Sequence, residues 1–517
     1  MRSKRTLLAR VCTAVLLPAT LAACGSTVSL GQSGGAPLTD SGLGGAAPGK
    51  SSTAVSGAGS VGALTGTSTG STTQTPSSSA TGAPSSAMND LGGAAGAGSA
   101  TPLKPIKLGY VVFDTAGFTA VTGNSDAGQN SSANQDADHF EMQTLVKYAN
   151  ATGGVNGRTI APPIGYRLST TDALNQQTLA STCAKATEDD KVQAFIDRSF
   201  MITDDLVTCF AKHKVNLVSF LVGSSDEILK LSSPYVATTQ PSIERTAKAF
   251  VGGILSSGYL TKGAVVGVVA DEGKAQDAAL NDTILPALKQ AGFQAKVVSR
   301  TSSTDNSSAT SQGSAAVLKM RSSGVTHVVW FANFLSQLGF ANAASSQGYK
   351  PRYAWSDYAG GVGDAGFYIS ADQNRNSIAV SVLDSYVVDP SEVHHTRSLT
   401  DPIDRPKAAP GLRRCLDIFK QYGGRDYYKG GSGRSTDYRF LCDHFLLWLD
   451  GARLAPKPFA TALFATGVHA LGTSFMSVLA HDTDFAIRLS GASDYRVGLY
   501  AATGCKCWAA TTPWLRF

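Results

Sequence analysis

The chain has 517 residues, 43% of them hydrophobic and 16% charged, with a formal net charge of +6. That length and apolar content allow more than one domain and a sizeable core. Arg2, Lys4, Arg5 and Arg10 all precede Cys24 with no acid among them; without these four the remainder carries only +2, which excludes the basic footprint of a nucleic-acid-binding protein.

Residues 1–23 combine a basic start, an apolar stretch at 11–17 and small residues before Cys24. This pattern reads as a secretory signal, too short for a spanning helix. Its end, Leu21-Ala22-Ala23-Cys24-Gly25, resembles the bacterial lipobox, which implies lipidation of Cys24 as the mature N-terminus. No later stretch offers about 18 uninterrupted apolar residues, so the expected anchor is the lipid alone.

The tract 24–103 is read as the anchor cysteine plus a linker. Residues 25–101 hold no aromatic side chain and only three charges, Asp40, Lys50 and Asp90. Such a Gly/Ser/Ala/Thr segment cannot bury enough apolar surface to offset its ordering entropy, so disorder is expected. As a flexible coil it would span on the order of 50 Å. GAGSVG (57–62), GQSGG (31–35) and GTSTG (66–70) imitate nucleotide and nucleophile motifs there. None follows a strand or opens a helix, so all three are compositional accidents.

Residues 106–112 (IKLGYVV) read as a buried strand, followed by a Gly/Asn/Ser loop over 114–134. Met142, Leu145, Val146 and Ala149 then recur at the period of one helix face, and Gly153-Gly154 suits a left-handed stop. A strand at 165–169 completes a βαβ unit. The alternation continues with helix 176–187, strand 192–197, helix 202–211, strand 215–221, short helix 224–231, strand 235–239 and helix 243–255. A second series opens with the continuous apolar run 263–270, of the kind buried on both faces of a parallel sheet. Helix 275–291, which Pro286 kinks or restarts, leads to strand 294–299, helix 309–321, strand 326–331, helix 336–347 and strand 352–355. Two such series imply two doubly wound α/β lobes. Thereafter 377–388 reads as one long strand passing between lobes. Helices are expected at 412–421, 438–454 and 458–465, and a hairpin from 485–489 and 494–500.

At this point the chain resembles the type I periplasmic solute-binding proteins, the branched-chain amino-acid-binding group of ABC transporters. The residues that carry the resemblance are 106–112, NATGGVNGR (150–158), GVVADEG (267–273) with its helix ending in ALKQAG (287–292), THVVWFANF (326–334), RYAWSDYAG (352–360) and the lipobox. It covers most of 105–500. It implies two three-layer lobes, 104–243 with about 388–485 and 244–387 with about 486–517, joined by a multi-strand hinge. It also implies capture of a small solute, an amino acid or a related amide or amine, outside the cytoplasmic membrane. Hinge closure and delivery to a membrane permease would follow, with the protein a lipid-anchored monomer. The same fold also serves ligand sensors without transport, and that alternative stays open.

In open α/β sheets the crevice lies beyond the carboxyl ends of the strands. That rule selects Phe113, Phe118, Ser199, Phe200, Leu221, Val222, Gly223 and Ser224 from the first lobe. From the second it selects Asp271, Glu272, Asn333, Phe334, Asp357 and Tyr358. The resemblance puts Ser224 where family members cradle a ligand carboxylate and Asp357 where they hold an ammonium. Phe334 or Asn333 stands in place of an expected tyrosine, and Phe113 or Phe118 could stack on the solute. Ser224-Ser225-Asp226-Glu227 is equally a capping box with Glu227 at the third helical position. Asp226 and Glu227 also oppose an anionic ligand at that helix start.

Six cysteines remain after Cys12 and Cys24, and counting alone allows fifteen pairings. In a 2-1-3-4-5 sheet the helices after strands two and three are neighbours, which favours Cys183–Cys209. Cys415 and Cys442 on successive helices form the next expected pair. Cys505 and Cys507 are left as a small-ring disulfide or two thiols. No P-loop, HExxH or metal-spaced set is present, so neither catalysis nor a cofactor is expected.

Overall fold

Strand β1 (Leu108–Asp114) sends Leu108, Tyr110 and Val112 into one core and Val111 into the opposite one. A strand that buries both faces belongs in the interior of a parallel sheet, and β1 lies there, between β2 and β3. The computed structural model describes residues 103–114, 131–169, 176–198, 204–220, 223–302, 305–384, 386–389, 402–430, 438–502 and 507–517. The signal segment, Cys24 and the linker lie outside the described residues, as do Phe118, Ser199, Phe200, Leu221, Val222 and Cys505. No described helix is long and apolar enough to cross a membrane.

Helix α1 (Ser131–Ala151) buries Met142, Leu145, Val146 and Ala149, the face its period predicts. Left-handed Gly153 and Gly154 end it, and the Gly154 N–H donates to the Ala149 carbonyl at 2.8 Å. The Asn150 side chain then clasps both backbone groups of Ile160, donating to its carbonyl and accepting from its N–H. The turn is thereby folded back toward β2 (Ile164–Ser169). Helix α2 (Gln176–Ala184) runs into a π turn, Lys185–Asp189. β3 (Ala194–Ile196), α3 (Asp204–Lys212), β4 (Asn216–Val218), α4 (Asp226–Leu231) and β5 (Val236–Ala237) complete the first sheet. Its order is β2-β1-β3-β4-β5, all parallel, as the crossover rule requires. Cys183 on α2 and Cys209 on α3 form the expected disulfide, with Cα atoms 6.5 Å apart.

Helix α5 (Ile243–Ser256) opens the second series, its Gly253 against Val380 and Val497 of the second sheet, and β6 (Val266–Asp271) follows. α6 (Lys274–Ala278) continues through a π turn, Ala279–Ile284, and α7 (Leu285–Gln290) restarts with Pro286 in its first turn. β7 (Ala295–Thr301), α8 (Asn306–Ser322), β8 (His327–Phe331), α9 (Phe334–Ser346), β9 (Arg352–Ser356), α10 (Gly361–Tyr368), β10 (Ile378–Ser381) and β11 (Val387–Val388) follow. The second sheet runs β11-β13-β12-β10-β9-β8-β6-β7. Its last strands, β12 (Asp494–Ala501) and β13 (Cys507–Ala510), come from the C-terminus, and β14 (Leu515–Arg516) pairs with β12. Each sheet has an apolar cluster on either face.

The last third departs from the sequence reading in three places. Residues 377–388 are not one strand. β10 and β11 both belong to the second sheet, and Leu383 between them bridges Ala480 instead. The run reads as a strand because Val382 and Leu383 are buried although the backbone bends. The hairpin is β12 with β13, not 485–489 with 494–500. Phe485 is buried among the helices and its N–H donates to the Gly472 carbonyl. The helix expected at 458–465 starts later, as a turn at Thr461–Leu463 leading into α13 (Phe464–Leu471). α11 (Pro410–Gly423) and α12 (Tyr438–Leu454) cover the first sheet, joined by the expected Cys415–Cys442 disulfide, Cα atoms 6.1 Å apart. Cys507 is also disulfide-bonded.

The chain therefore leaves the first sheet after β5, returns to its core at Ile403 and re-enters the second sheet at β12. These connections are bonded to one another. Thr238 bridges Ser490, and the Asp384 N–H donates to the Leu479 carbonyl. The buried Arg245 guanidinium donates to the carbonyls of Ser490 (2.9 Å) and Ala492.

Candidate functional site

At the carboxyl tip of β6, Asp271 is buried, with 7% of its surface exposed. Both its oxygens accept from Asn333, one from the backbone N–H and one from the side-chain amide, each at 2.9 Å. Asn333 can do this because it is the N-cap of α9, its own side-chain oxygen accepting from the Ser336 N–H. Burial pushes the Asp271 carboxyl up to about 7, against the opposing pull of its hydrogen bonds to Asn333 and Tyr358.

Tyr358 follows β9, and its ring stacks on Phe331 with centroids 4.8 Å apart. Its hydroxyl meets Asp271 and accepts from the Gln276 amide at 3.0 Å. The next residue, Ala359, has a left-handed backbone (φ 51°, ψ 36°). A non-glycine residue there costs roughly 1 kcal/mol, held in place by the packing of Tyr358. This ring also reaches the first sheet. A Cβ placed on Gly223 would stand 3.8 Å from Tyr358 Cε2.

Gly223 and Ser224 lead into α4. Ser224 is buried, and its hydroxyl lies 3.4 Å from an oxygen of Asp204 at the start of α3. The cap of α4 is Ser225, whose hydroxyl accepts from the Ile228 N–H. The capping box expected from Ser224 does not form: the cap falls one residue later with Ile228 at the third helical position, and Ser224 is left with Asp204. The Asp226 N–H donates to Glu244 of α5 at 3.1 Å. Across from it, Lys274 at the start of α6 pairs with Glu227 at 2.8 Å. Asp204 is pushed up first by burial, with Asp205, Glu244 and Glu227 adding to it.

Asp357 and Phe334 sit differently. Asp357 is buried at the tip of β9, where one oxygen accepts from the Ser381 hydroxyl and the N–H groups of Val382 (2.7 Å) and Leu383 (3.3 Å). Its other oxygen has no hydrogen-bond partner. Burial pushes this carboxyl up to about 7. Phe334 packs with Ala309, Leu335 and Leu338 in a small apolar cluster. Phe113 lies in β1 opposite Leu168 of β2. Gly223, Ser224, Asp271, Asn333 and Tyr358 are thus brought to one seam between the strand tips of the two sheets.

Four seam residues were missed from sequence: Asp204, Glu244, Lys274 and Gln276. Each begins or follows a helix start, and helix N-termini facing a strand tip were the signal available. Beneath the first sheet's tips lies a buried polar layer. Arg198 pairs with Asp138, and the His444 ring nitrogen Nδ1 lies 2.6 Å from the Asp197 carbonyl. Burial pushes His444 down to about 4.

Residues 105–366 match the family described as "Periplasmic binding protein". A fatty acid ABC transporter substrate-binding protein from Thermomonospora curvata aligns with 14% identity, over 80% of this chain and 93% of that one, at a TM-score of 0.55. A branched chain amino acid ABC transporter from Thermus thermophilus with bound valine aligns with 14% identity, over 80% and 97%, at 0.53. An ABC transporter solute-binding protein from R. palustris in complex with benzoate aligns with 12% identity, over 80% and 98%, at 0.51. Identities this low show a shared fold. No curated protein matches this sequence.

Proposed function

This chain belongs to the periplasmic binding protein family, with the type I fold, and on that premise we propose that it captures a small solute for an ABC-type uptake system. The solute is held between two lobes, residues 104–243 with about 388–485 and residues 244–387 with about 486–517. Closure about the bonded connections brings both lobes onto the solute, which favours the closed form because it touches both. Cys24 carries the lipid, the linker spaces the folded body from the membrane, and a permease receives the solute.

The observation that supports this most is the placement of Tyr358. It stands on the second sheet, is fixed by Phe331, Gln276 and Asp271, and lies against the Gly223 turn of the first sheet. A rigid aromatic with a polar tip at a seam of strand ends is the kind of group that orients a small guest. The solutes named for the relatives, valine and benzoate, carry a carboxylate and mark the size of guest to be tried first.

A thermal-shift screen of amino acids, amides, amines and aromatic acids tests the proposal. At least one solute is expected to raise the unfolding midpoint of the native chain, and Tyr358→Ala is expected to abolish that rise. A panel that leaves the midpoint unmoved, or a rise that survives Tyr358→Ala, counts against solute capture at this seam.

A further inference from the structure

Two stretches of the chain repeat each other. Ser381-Val382-Leu383 at the end of β10 and Ser477-Val478-Leu479 beyond α13 are the same tripeptide, and they are folded alike. Each sits on a buried carboxylate. Asp357 accepts from the Ser381 hydroxyl and the N–H groups of Val382 and Leu383. Asp443 of α12 accepts from the Ser477 hydroxyl (2.7 Å) and the Val478 N–H (2.5 Å). In each copy the leucine N–H also lies 3.0 Å from its own serine hydroxyl. The copies then meet antiparallel, Leu383 bridging Ala480 and the Asp384 N–H donating to the Leu479 carbonyl at 2.8 Å. Asp357 stands at the tip of β9 in the second sheet, Asp443 on a helix that covers the first. Val478 is buried in the first sheet's apolar cluster, Leu479 and Ala480 in the second's. The chain thus passes from one core to the other over a joint whose two arms are each fixed to their own side.

One titratable side chain sits on this joint. His481 follows the second copy, and its Nδ1 lies 2.7 Å from an oxygen of Asp494, the first residue of β12. A carboxylate only accepts, so Nδ1 carries the hydrogen. The imidazole is stacked flat on Trp514, centroids 4.5 Å apart, and the Arg496 guanidinium lies over the same indole. Acids face the ring from each neighbouring element: Asp494 from β12, Asp384 from the end of the first copy, and Asp482 from its own turn. Arg516 of β14 holds Asp482 at 2.7 Å. Burial pulls the imidazole pKa down, but the hydrogen bond to Asp494 and the charges of Asp494, Asp384 and Asp482 outweigh it and leave the group raised.

We infer that His481 is a proton-operated latch on this joint: protonated, it ties the turn after the second copy to β12 and to Asp384; neutral, it loosens that tie. The inference rests on the proposed closure and adds a control to it. A charged imidazole makes the stronger, charge-assisted bond to Asp494. A raised histidine makes its contribution below its ordinary pKa and loses it as pH rises through the raised one. In the arrangement described, Tyr358 stands against the Gly223 turn and Lys274 holds Glu227, so the latched state is the one with the strand tips together.

Pulsed electron resonance on the full chain without solute tests this, with spin labels at Lys230→Cys and Lys289→Cys, at pH 5 and pH 8, the range in which a histidine changes charge. The ratio of short to long distances is expected to fall by about two- to fivefold on going to pH 8, the scale of a partly exposed ion pair. His481→Gln, neutral throughout, is expected to lose that pH dependence, with an unfolding midpoint at pH 8 equal to that of the native chain. Asp494→Asn is expected to weaken it in the same way and to lower the His481 pKa read by NMR titration. A pH-dependent distance that persists in His481→Gln overturns the inference and assigns the effect to the seam acids Asp271 and Asp204. A native distribution that pH leaves unmoved overturns it as well. None of these readings needs a bound solute, so failure here leaves solute capture standing, and a silent solute panel leaves the latch standing.

Discussion

Lys274 and Glu227 meet at 2.8 Å across the seam, the first starting the helix after β6 and the second lying in the first turn of the helix after β4. The pair ties the two strand-tip layers together at their exposed rim, since both side chains are more than half exposed. An exposed ion pair is screened by salt and adds little to folding. In the proposed closure its leverage is on the balance between open and closed forms, where small differences matter.

Lys274→Met is therefore expected to leave the unfolding midpoint where it is and to weaken solute affinity by roughly two- to threefold at low salt. Calorimetry at two ionic strengths checks this, with the difference vanishing at high salt. A lowered midpoint with unchanged affinity would place the pair in the fold rather than in closure.

Asp357 gives a pH dependence with a definite sign. Its carboxyl is raised from an ordinary 3.8 to about 7 by burial, so between those values the folded state holds a proton that the unfolded state has lost. Stability then falls as pH rises through that window, by about 1.4 kcal/mol per pH unit from this group. Asp357→Asn can keep the oxygen that accepts from Ser381, Val382 and Leu383. Its stability gain over the native chain is expected to grow from pH 4 to 7 and level off above, as read by urea unfolding across pH.

His444 works in the other direction. It is fully buried on α12, and burial lowers it from 6.5 to about 4. Below pH 6.5 the unfolded chain takes up a proton that the folded chain refuses, so stability is lost as pH falls toward 4, again at about 1.4 kcal/mol per unit. His444→Gln should flatten the acid limb of the stability curve between pH 6.5 and 4. A limb of unchanged slope would assign acid sensitivity to other groups.

The buried pair of Arg198 and Asp138 is the most severe test of the polar layer under the seam. Removing one partner strands a buried charge, so Arg198→Met is expected to cost about 3 to 5 kcal/mol, measured by chemical unfolding. The Asp138→Asn, Arg198→Met double variant should recover part of that loss if desolvation is the cause.

The disulfide between Cys183 and Cys209 spans 26 residues, a loop whose closure stabilises the native state by about 3 kcal/mol in the chain-entropy account. Replacing both cysteines by serine should lower stability by that order without changing solute affinity, because α2 and α3 join along one face of the first sheet.

What the sequence made legible were features with a short range or a strict rule. The helix face of Met142, Leu145, Val146 and Ala149 shows in its period, and the all-apolar runs through Val268 and Val329 show as strands buried on both faces. The handedness of βαβ crossovers gives the 2-1-3-4-5 order, and from that order the Cys183–Cys209 pairing. The strand-tip rule reached Asp271, Asn333 and Tyr358. It could not reach Glu244, whose contact with Asp226 depends on how α4 and α5 lie against each other, a matter of packing between elements 18 residues apart. The bend at Val382 and Leu383 was invisible for a related reason. Burial made the segment apolar throughout, and apolar runs look extended whether or not the backbone turns onto a side chain such as Asp357.

The central claim is that a solute bridges the strand tips of two sheets and draws them together. Spin labels at Lys230→Cys on α4 and Lys289→Cys on α7, both exposed positions, report the distance across the seam by pulsed electron resonance. With a saturating solute from the thermal-shift screen the distance distribution should shorten and narrow, and Tyr358→Ala should return it to that of the free protein. A distribution that the bound solute leaves untouched would contradict the account.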